Sequence, residues 1–303
     1  MSRAGRIPDD RGLTTRMFFT GLAIVVLYGV FVAILIAVGI SFAVVIVIAL
    51  ALMFAQYWFS DRIALFAMHA QVVTPQQAPD LHGAVDRLCA LADMPKPRVA
   101  LARTDMPNAF ATGRSPKNAV VCATTGLMRR LEPEELEAVL AHELSHVAHR
   151  DVAVMTIASG LGMLAGLLTR VIMFAGLFGD DRNEGGNFAA IEALVLLVSV
   201  VVYAISFLLT MALSRYRELS ADRSGAILIG RPSVLASALV KVTGEMSRIP
   251  SRDLRSSEPF NAFFFTPAMT NGKSLSSLFS THPSLERRLA QLNQLERQLN
   301  QPR

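Results

Sequence analysis

The chain has 303 residues, of which 52% are apolar and 17% charged, with a formal net charge of +5. Soluble domains carry about 25% charged residues, and here the deficit is concentrated in long apolar runs, which points to a membrane protein. Much of the positive charge, Arg3, Arg6, Arg11 and Arg16, precedes the first apolar run and reads as orientation charge; no basic stripe of the kind nucleic-acid binding needs is present, so no nucleic-acid partner is expected.

Residues 1–15 form a polar N-terminal segment. Met17 to Phe59 is apolar almost without interruption, about twice the roughly 20 residues that one span requires. The run is too long for a cleavable signal and reads as a transmembrane hairpin over 16–59, with spans near 16–38 and 41–59 and a turn at Gly39-Ile40-Ser41. Residues 60–151 are the first part of a polar, catalytic domain. Asp80 to Leu91 is an amphipathic helix stopped by Met94-Pro95-Lys96-Pro97. Arg98–Arg103, Pro107–Thr112 and Ala119–Ala123 read as strands, with Gly113 to Lys117 as a turn. Glu132-Pro133-Glu134-Glu135 opens a helix, with proline in its first turn and carboxylates at the positive end of its dipole.

Val152–Gly179 and Phe188–Leu213, joined by the acidic segment 180–187, make a second expected hairpin over 152–213. Gly162 and Gly166 form a small-xxx-small pair suited to close helix packing, and Arg170 inside the run is expected to snorkel outward and pair with Glu192. Residues 214–303 complete the catalytic domain, with a long Ser-, Pro-, Asn- and Phe-containing loop over Pro250–Ser280. A final amphipathic helix, Pro283–Leu299, carries leucines at 285, 289, 292 and 295. The fold expected is an α-helical membrane protein with a mainly α (α+β), zincin-like catalytic domain, four transmembrane helices in two hairpins and a small β-sheet. Arg-rich residues 1–15 are cytoplasmic under the positive-inside rule, and four spans return both polar regions to that side. Cys89 and Cys122 stand alone, outside any metal-ligand spacing, as suits a reducing compartment.

The chemistry centres on His142-Glu143-Leu144-Ser145-His146. Histidines at i and i+4 share one helical face and can hold one metal ion, and the glutamate between them can act as general base on a water at that ion. A catalytic zinc site takes three protein ligands and leaves one position open. His149 lies a further turn on, about 10 Å of rise from His142, so it reads as a cap or a solvent-facing residue. Arg217-Glu218-Leu219-Ser220-Ala221-Asp222 offers two carboxylates at i, i+4: one for the metal and one to accept the N–H of a ligating imidazole.

With these residues in view the chain resembles the HtpX family of membrane metalloproteases, of the gluzincin class. The landmarks are an N-terminal hairpin, Asn108-Ala109-Phe110-Ala111-Thr112-Gly113, the histidine motif, a second hairpin, Arg217-Glu218 through Ala221-Asp222, and Thr281-His282-Pro283. The resemblance implies one zinc per chain on His142, His146 and Glu218, with Glu143 as base and Asp222 behind a ligating histidine. It implies proteolysis of damaged or misfolded membrane proteins at the cytoplasmic face of the bacterial plasma membrane, as protein quality control under stress. Asn108, Ala109 and Phe110 lie on a strand whose free edge can pair with an extended substrate backbone, and His282 is expected to approach the site and stabilise the oxyanion. Partners are then the membrane and polypeptide substrates, with assembly into a homo-oligomer left open. An intramembrane protease is disfavoured because charged Glu132-Pro133-Glu134-Glu135-Leu136-Glu137 precedes the motif. A prenyl-protein protease would carry more spans. A non-catalytic zinc-stabilised membrane scaffold would have no use for Glu143.

Overall fold

The computed structural model describes residues 11–37, 43–178, 187–248 and 281–301. In chain order these form α1 (Arg11–Ala37), α2 (Ala43–Trp58), α3 (Ser60–Ala67), β1 (Ala70–Val72), α4 (Pro79–Ala92), β2 (Arg98–Ala102), β3 (Ala109–Thr112), β4 (Val120–Thr124), α5 (Thr125–Arg130), α6 (Pro133–Ala148), α7 (Asp151–Phe178), α8 (Asn187–Ile229), α9 (Pro232–Arg248) and α10 (Leu285–Asn300). The turn at Gly39–Ser41, residues 180–186 of the acidic segment, the Pro250–Ser280 loop and the side chain of Glu192 lie outside the described residues.

The mainly α architecture with a small sheet is as expected; the four spans are not. Among the described residues two helices are long and apolar enough to cross a membrane, over Thr14–Ile34 and Ala193–Ile229. A third counts only if Pro133–Ala148 and Asp151–Leu167, bent by 60°, are taken as one broken span. The physical reason is length and placement. The 16 residues of α2 rise about 24 Å, short of the roughly 30 Å hydrocarbon core. Helix α7 starts at Asp151, which is buried beside the histidine motif, so its first turns belong to the polar domain. An apolar run in the sequence does not distinguish a helix that crosses from one that packs beside a crossing helix. Here Ala158, Leu164 and Ala165 of α7 pack with Ile24 and Phe31 of α1 and Val195 and Val202 of α8.

The four-stranded sheet is open, in the order β1-β2-β4-β3. Strands β2 and β4 are parallel, and β1 and β3 pair antiparallel on the outside. Three residues of β1 fall below what alternation in a sequence can signal. One face of the sheet packs on α3 through Ala64, Ala100, Phe110 and Cys122. The other enters the main core with Leu88 of α4, Val139 and Leu140 of α6, Leu239 of α9 and Leu292 of α10.

Helix α6 starts with a full capping box. Glu132 accepts from the backbone of Glu135, and the Glu135 side chain accepts from the N–H of Glu132. The Glu135 carboxylate also accepts from Ser237 Oγ and Lys241 Nζ of α9, at 2.7 Å each, which fixes the helix to its neighbour. Helix α8, 43 residues long, rises about 64 Å, twice the hydrocarbon thickness. It leaves the apolar bundle and continues as one rod into the core of the polar domain. There Gly225 lies so close to α6 that a Cβ on it would meet His142 N at 2.7 Å and His142 Cα at 2.9 Å. No side chain fits at that crossing. Gly225→Ala is therefore expected to force the helices apart and destabilise the protein by about 1–3 kcal/mol, the usual range for overpacking. Gly162→Ala, whose new Cβ would make an ordinary 3.4 Å contact with Ser206 Oγ, is expected to unfold close to wild type. Thermal unfolding in detergent checks both.

Candidate metal centre

The i, i+4 spacing of α6 points His142 and His146 at α8, with their rings edge to face and centroids 4.9 Å apart. Their Nε2 atoms are 3.2 Å apart. Glu218 of α8 supplies the third corner, with Oε2 3.6 Å from His142 Nε2 and Oε1 3.4 Å from His146 Nε2. These are the His/His/Glu atoms that converge within 4.8 Å of one another among the described residues.

Both Nδ1 atoms face carboxylates. His142 Nδ1 lies 2.9 Å from Asp222 Oδ1, and His146 Nδ1 lies 2.5 Å from Asp151 Oδ2. An acceptor-only carboxylate beside each Nδ1 favours the proton there, which turns the lone pair of each Nε2 toward the other. Two such lone pairs 3.2 Å apart beside a carboxylate repel unless a cation lies between them. Zinc–ligand distances of about 2.0–2.1 Å place tetrahedral ligand atoms roughly 3.3 Å apart, close to the observed triangle. Two imidazoles and a carboxylate with an open fourth direction are the donor set of a single zinc site.

Each supporting carboxylate has an arginine behind it. Arg288 of α10, almost fully buried, forks onto Asp222 at 2.6 and 2.7 Å. Arg217 Nη2 lies 2.8 Å from Asp151 Oδ2. Neither Asp151 nor Arg288 is singled out by sequence reasoning. Asp151 reaches the site because the chain bends at Arg150, which has φ 55° without being glycine, so no turn residue announces it. Arg288 sits on the leucine face of α10 as the one charge in an apolar stripe, and that interruption was the available signal.

The remaining residues fall as follows. Glu143 is buried, and one carboxylate oxygen accepts the N–H of Ala111 at 3.0 Å. Burial pushes its carboxyl above the usual range, opposed by the nearby imidazoles. Ala109 and Phe110 line the cleft with Ala111 and Thr112. Asn108 sits just before β3, fully buried, its N–H held by Thr124 Oγ1 at 2.9 Å, and is not among the described residues lining the cleft. His282 is buried on the cleft wall with Nδ1 3.0 Å from Glu218 Oε2. His149 caps α6 and is not part of the cluster. Cys89 and Cys122 are buried, and burial pushes their thiols up to about 11 and about 12, so neither is a reactive thiolate. The cleft holds about 380 Å3.

Comparison with known proteins gives a consistent picture. The model of peptidase family M48 matches residues 75–296. A Streptomyces coelicolor protein described as protease HtpX homolog 1 is 58% identical over 296 residues, 98% of this chain and 97% of that protein. A Methanosarcina mazei protein, protease HtpX homolog 2, is 50% identical over 292 residues, covering 96% and 98%. The crystal structure of S. mikatae Ste24p superposes with a TM-score of 0.56 over 94% of this chain and 67% of that one, at 19% identity, a likeness of fold.

Carboxylates behind ligating histidines typically change metal affinity 10–100-fold. Asp151→Asn is therefore expected to weaken zinc binding by about 10–100-fold, and His149→Ala to leave it unchanged. Competition with a chromophoric chelator measures both.

Proposed function

Because this chain belongs to peptidase family M48, and within it to the HtpX proteases, it is a membrane zinc metallopeptidase, and we propose the residue roles and setting that follow. The catalytic domain is built from 60–151 and 214–303. His142, His146 and Glu218 would hold the zinc, which would supply a Lewis acid for activating water and polarising the scissile carbonyl. Glu143 would serve as the base that takes a proton from the attacking water as its oxygen bonds the carbonyl carbon, and returns it to the amine as the C–N bond breaks. Asp222 and Asp151 orient the two imidazoles. His282 steadies Glu218 through the 3.0 Å contact and faces the cleft where an oxyanion develops.

The observation that carries this reading is the contact between Glu143 and Ala111. Strand β3 is an edge strand, and Asn108 O accepts from Thr124 N of β4. Alternation along an antiparallel pair then turns the N–H and C=O of Ala109 and Ala111 away from β4. The Glu143 oxygen on Ala111 N–H is thus held at the outer edge of β3, where an extended peptide can add as a further strand. A general base beside a backbone-reading edge suits an endopeptidase and has no purpose in a scaffold.

Sidedness follows from Arg16, whose guanidinium lies 5.9 Å from the centre of the Tyr216 ring, two residues before Glu218. The N-terminal end of α1 and the metal centre share a side, and the arginines there favour the cytoplasm. We take the setting to be the cytoplasmic face of the plasma membrane in a bacterial cell, and the substrates to be misfolded membrane proteins. Glu143→Gln is expected to keep one zinc per chain, because it removes a base and not a ligand, while casein cleavage falls at least about a hundredfold. Full activity at full zinc content would remove Glu143 from this role.

A further inference from the structure

Beyond the metal centre, the cleft runs on into a second cavity of about 520 Å3 between α2, α7 and α8. The two share Ser159, Thr210 and Met211 as lining residues. The second cavity is walled by apolar groups such as Leu52, Met163 and Leu167, with the exposed Arg170 also on its lining, and it holds a hydroxyl that the fold leaves unsatisfied. Ser206 is 1% exposed, and its Oγ has no hydrogen-bond partner among the described residues. Gly162 and Gly166 line the same space. A Cβ at either would make only ordinary contacts, 3.4 Å to Ser206 and 3.5 Å to Tyr203. Backbone crossing therefore does not demand these glycines; their missing side chains keep the cavity open. At Gly160 a Cβ would meet only side chains, the end of Met53 at 2.3 Å and Tyr28 Oη at 2.9 Å.

We propose that this cavity binds an unwound apolar stretch of the polypeptide substrate, continuous with the segment held at the metal centre. A lipid chain would match the apolar walls but leave the Ser206 hydroxyl unpaired. An unwound peptide offers both apolar side chains and backbone N–H and C=O groups. In hydrocarbon such a backbone is tolerated only where protein supplies hydrogen bonds; Ser206 offers an unsatisfied hydroxyl, and Ser159 and Thr210, whose hydroxyls donate to Thr156 O and Ala158 O, still offer lone pairs to a backbone N–H. Ser206 and Glu218 are twelve residues apart on one helix, about 18 Å, which an extended chain covers in roughly five residues at about 3.3 Å each. The site therefore selects substrates with an apolar stretch beginning within about five residues of the scissile bond.

This rests on the proteolytic reading above but is tested without turnover. In the zinc-loaded Glu143→Gln protein in detergent, Met163 is replaced by the photo-crosslinker p-benzoylphenylalanine, and Leu91, exposed on the polar domain, serves as control. The probe is a synthetic peptide with a polar half and an apolar half. Expected are crosslinks to this peptide at Met163 and not at Leu91, absent with an all-polar peptide of equal length. They should be lost on adding Ser206→Leu or, from the opposite helix, Gly166→Leu, in variants that retain zinc. Equal crosslinking at both positions, equal capture of the polar peptide, or crosslinks at Met163 to detergent and lipid alone overturn the proposal. Wild-type protein that crosslinks but cannot cleave casein would sink the proteolytic reading and leave the cavity assignment standing.

Discussion

The structure depends on one helix crossing. Helix α8 is anchored in the apolar bundle at one end and pressed against α6 at the other, where Gly225 lets the two backbones meet at His142. Glu218, Asp222 and Gly225 stand at i, i+4 and i+7, so they share a face. The crossing that seats Gly225 on α6 also presents Asp222 to His142 Nδ1 and Glu218 to the two Nε2 atoms. A peptide motif on α6 can supply two ligands by itself; the third is a matter of tertiary packing, delivered by a rod whose other half lies in the membrane region.

Around that crossing the charges form two parallel series. His142, Asp222 and Arg288 are one; His146, Asp151 and Arg217 are the other. A carboxylate buried alone is costly, and removing one partner of a buried pair leaves an uncompensated charge. The arginines keep both aspartates ionised in a dry site, as acceptors that fix the imidazole tautomers. Arg288 arrives on α10, so the C-terminal helix contributes to the metal centre although it touches no metal.

Legibility in the sequence tracks how local each interaction is. His142, Glu143 and His146 are readable because one helical turn brings them together, and the Glu218–Asp222 pair because its spacing is again a single turn. Asp151 is close to His146 in sequence, yet it stayed hidden because a left-handed Arg150, and not a glycine, makes the bend. Arg288 meets Asp222 across 66 residues, a distance no spacing rule covers. The helices beside the bundle were legible as apolar, but their number of crossings was not, since packing beside a span and being a span draw on the same residues. Gly162 and Gly166 show the same limit: a small-xxx-small pair signals room, and only the structure says whether a helix or a cavity occupies it.

X-ray absorption spectroscopy of the zinc-loaded protein tests the centre most directly. Two imidazole nitrogens are expected at about 2.0–2.1 Å, with a light oxygen shell at about 2.0–2.2 Å that includes one carboxylate and with no sulfur. Glu218→Ala should change the oxygen shell and leave the imidazole signal of any retained zinc at two. A third imidazole, from His149 or His282, or a sulfur at about 2.3 Å would mean that α8 does not complete the site.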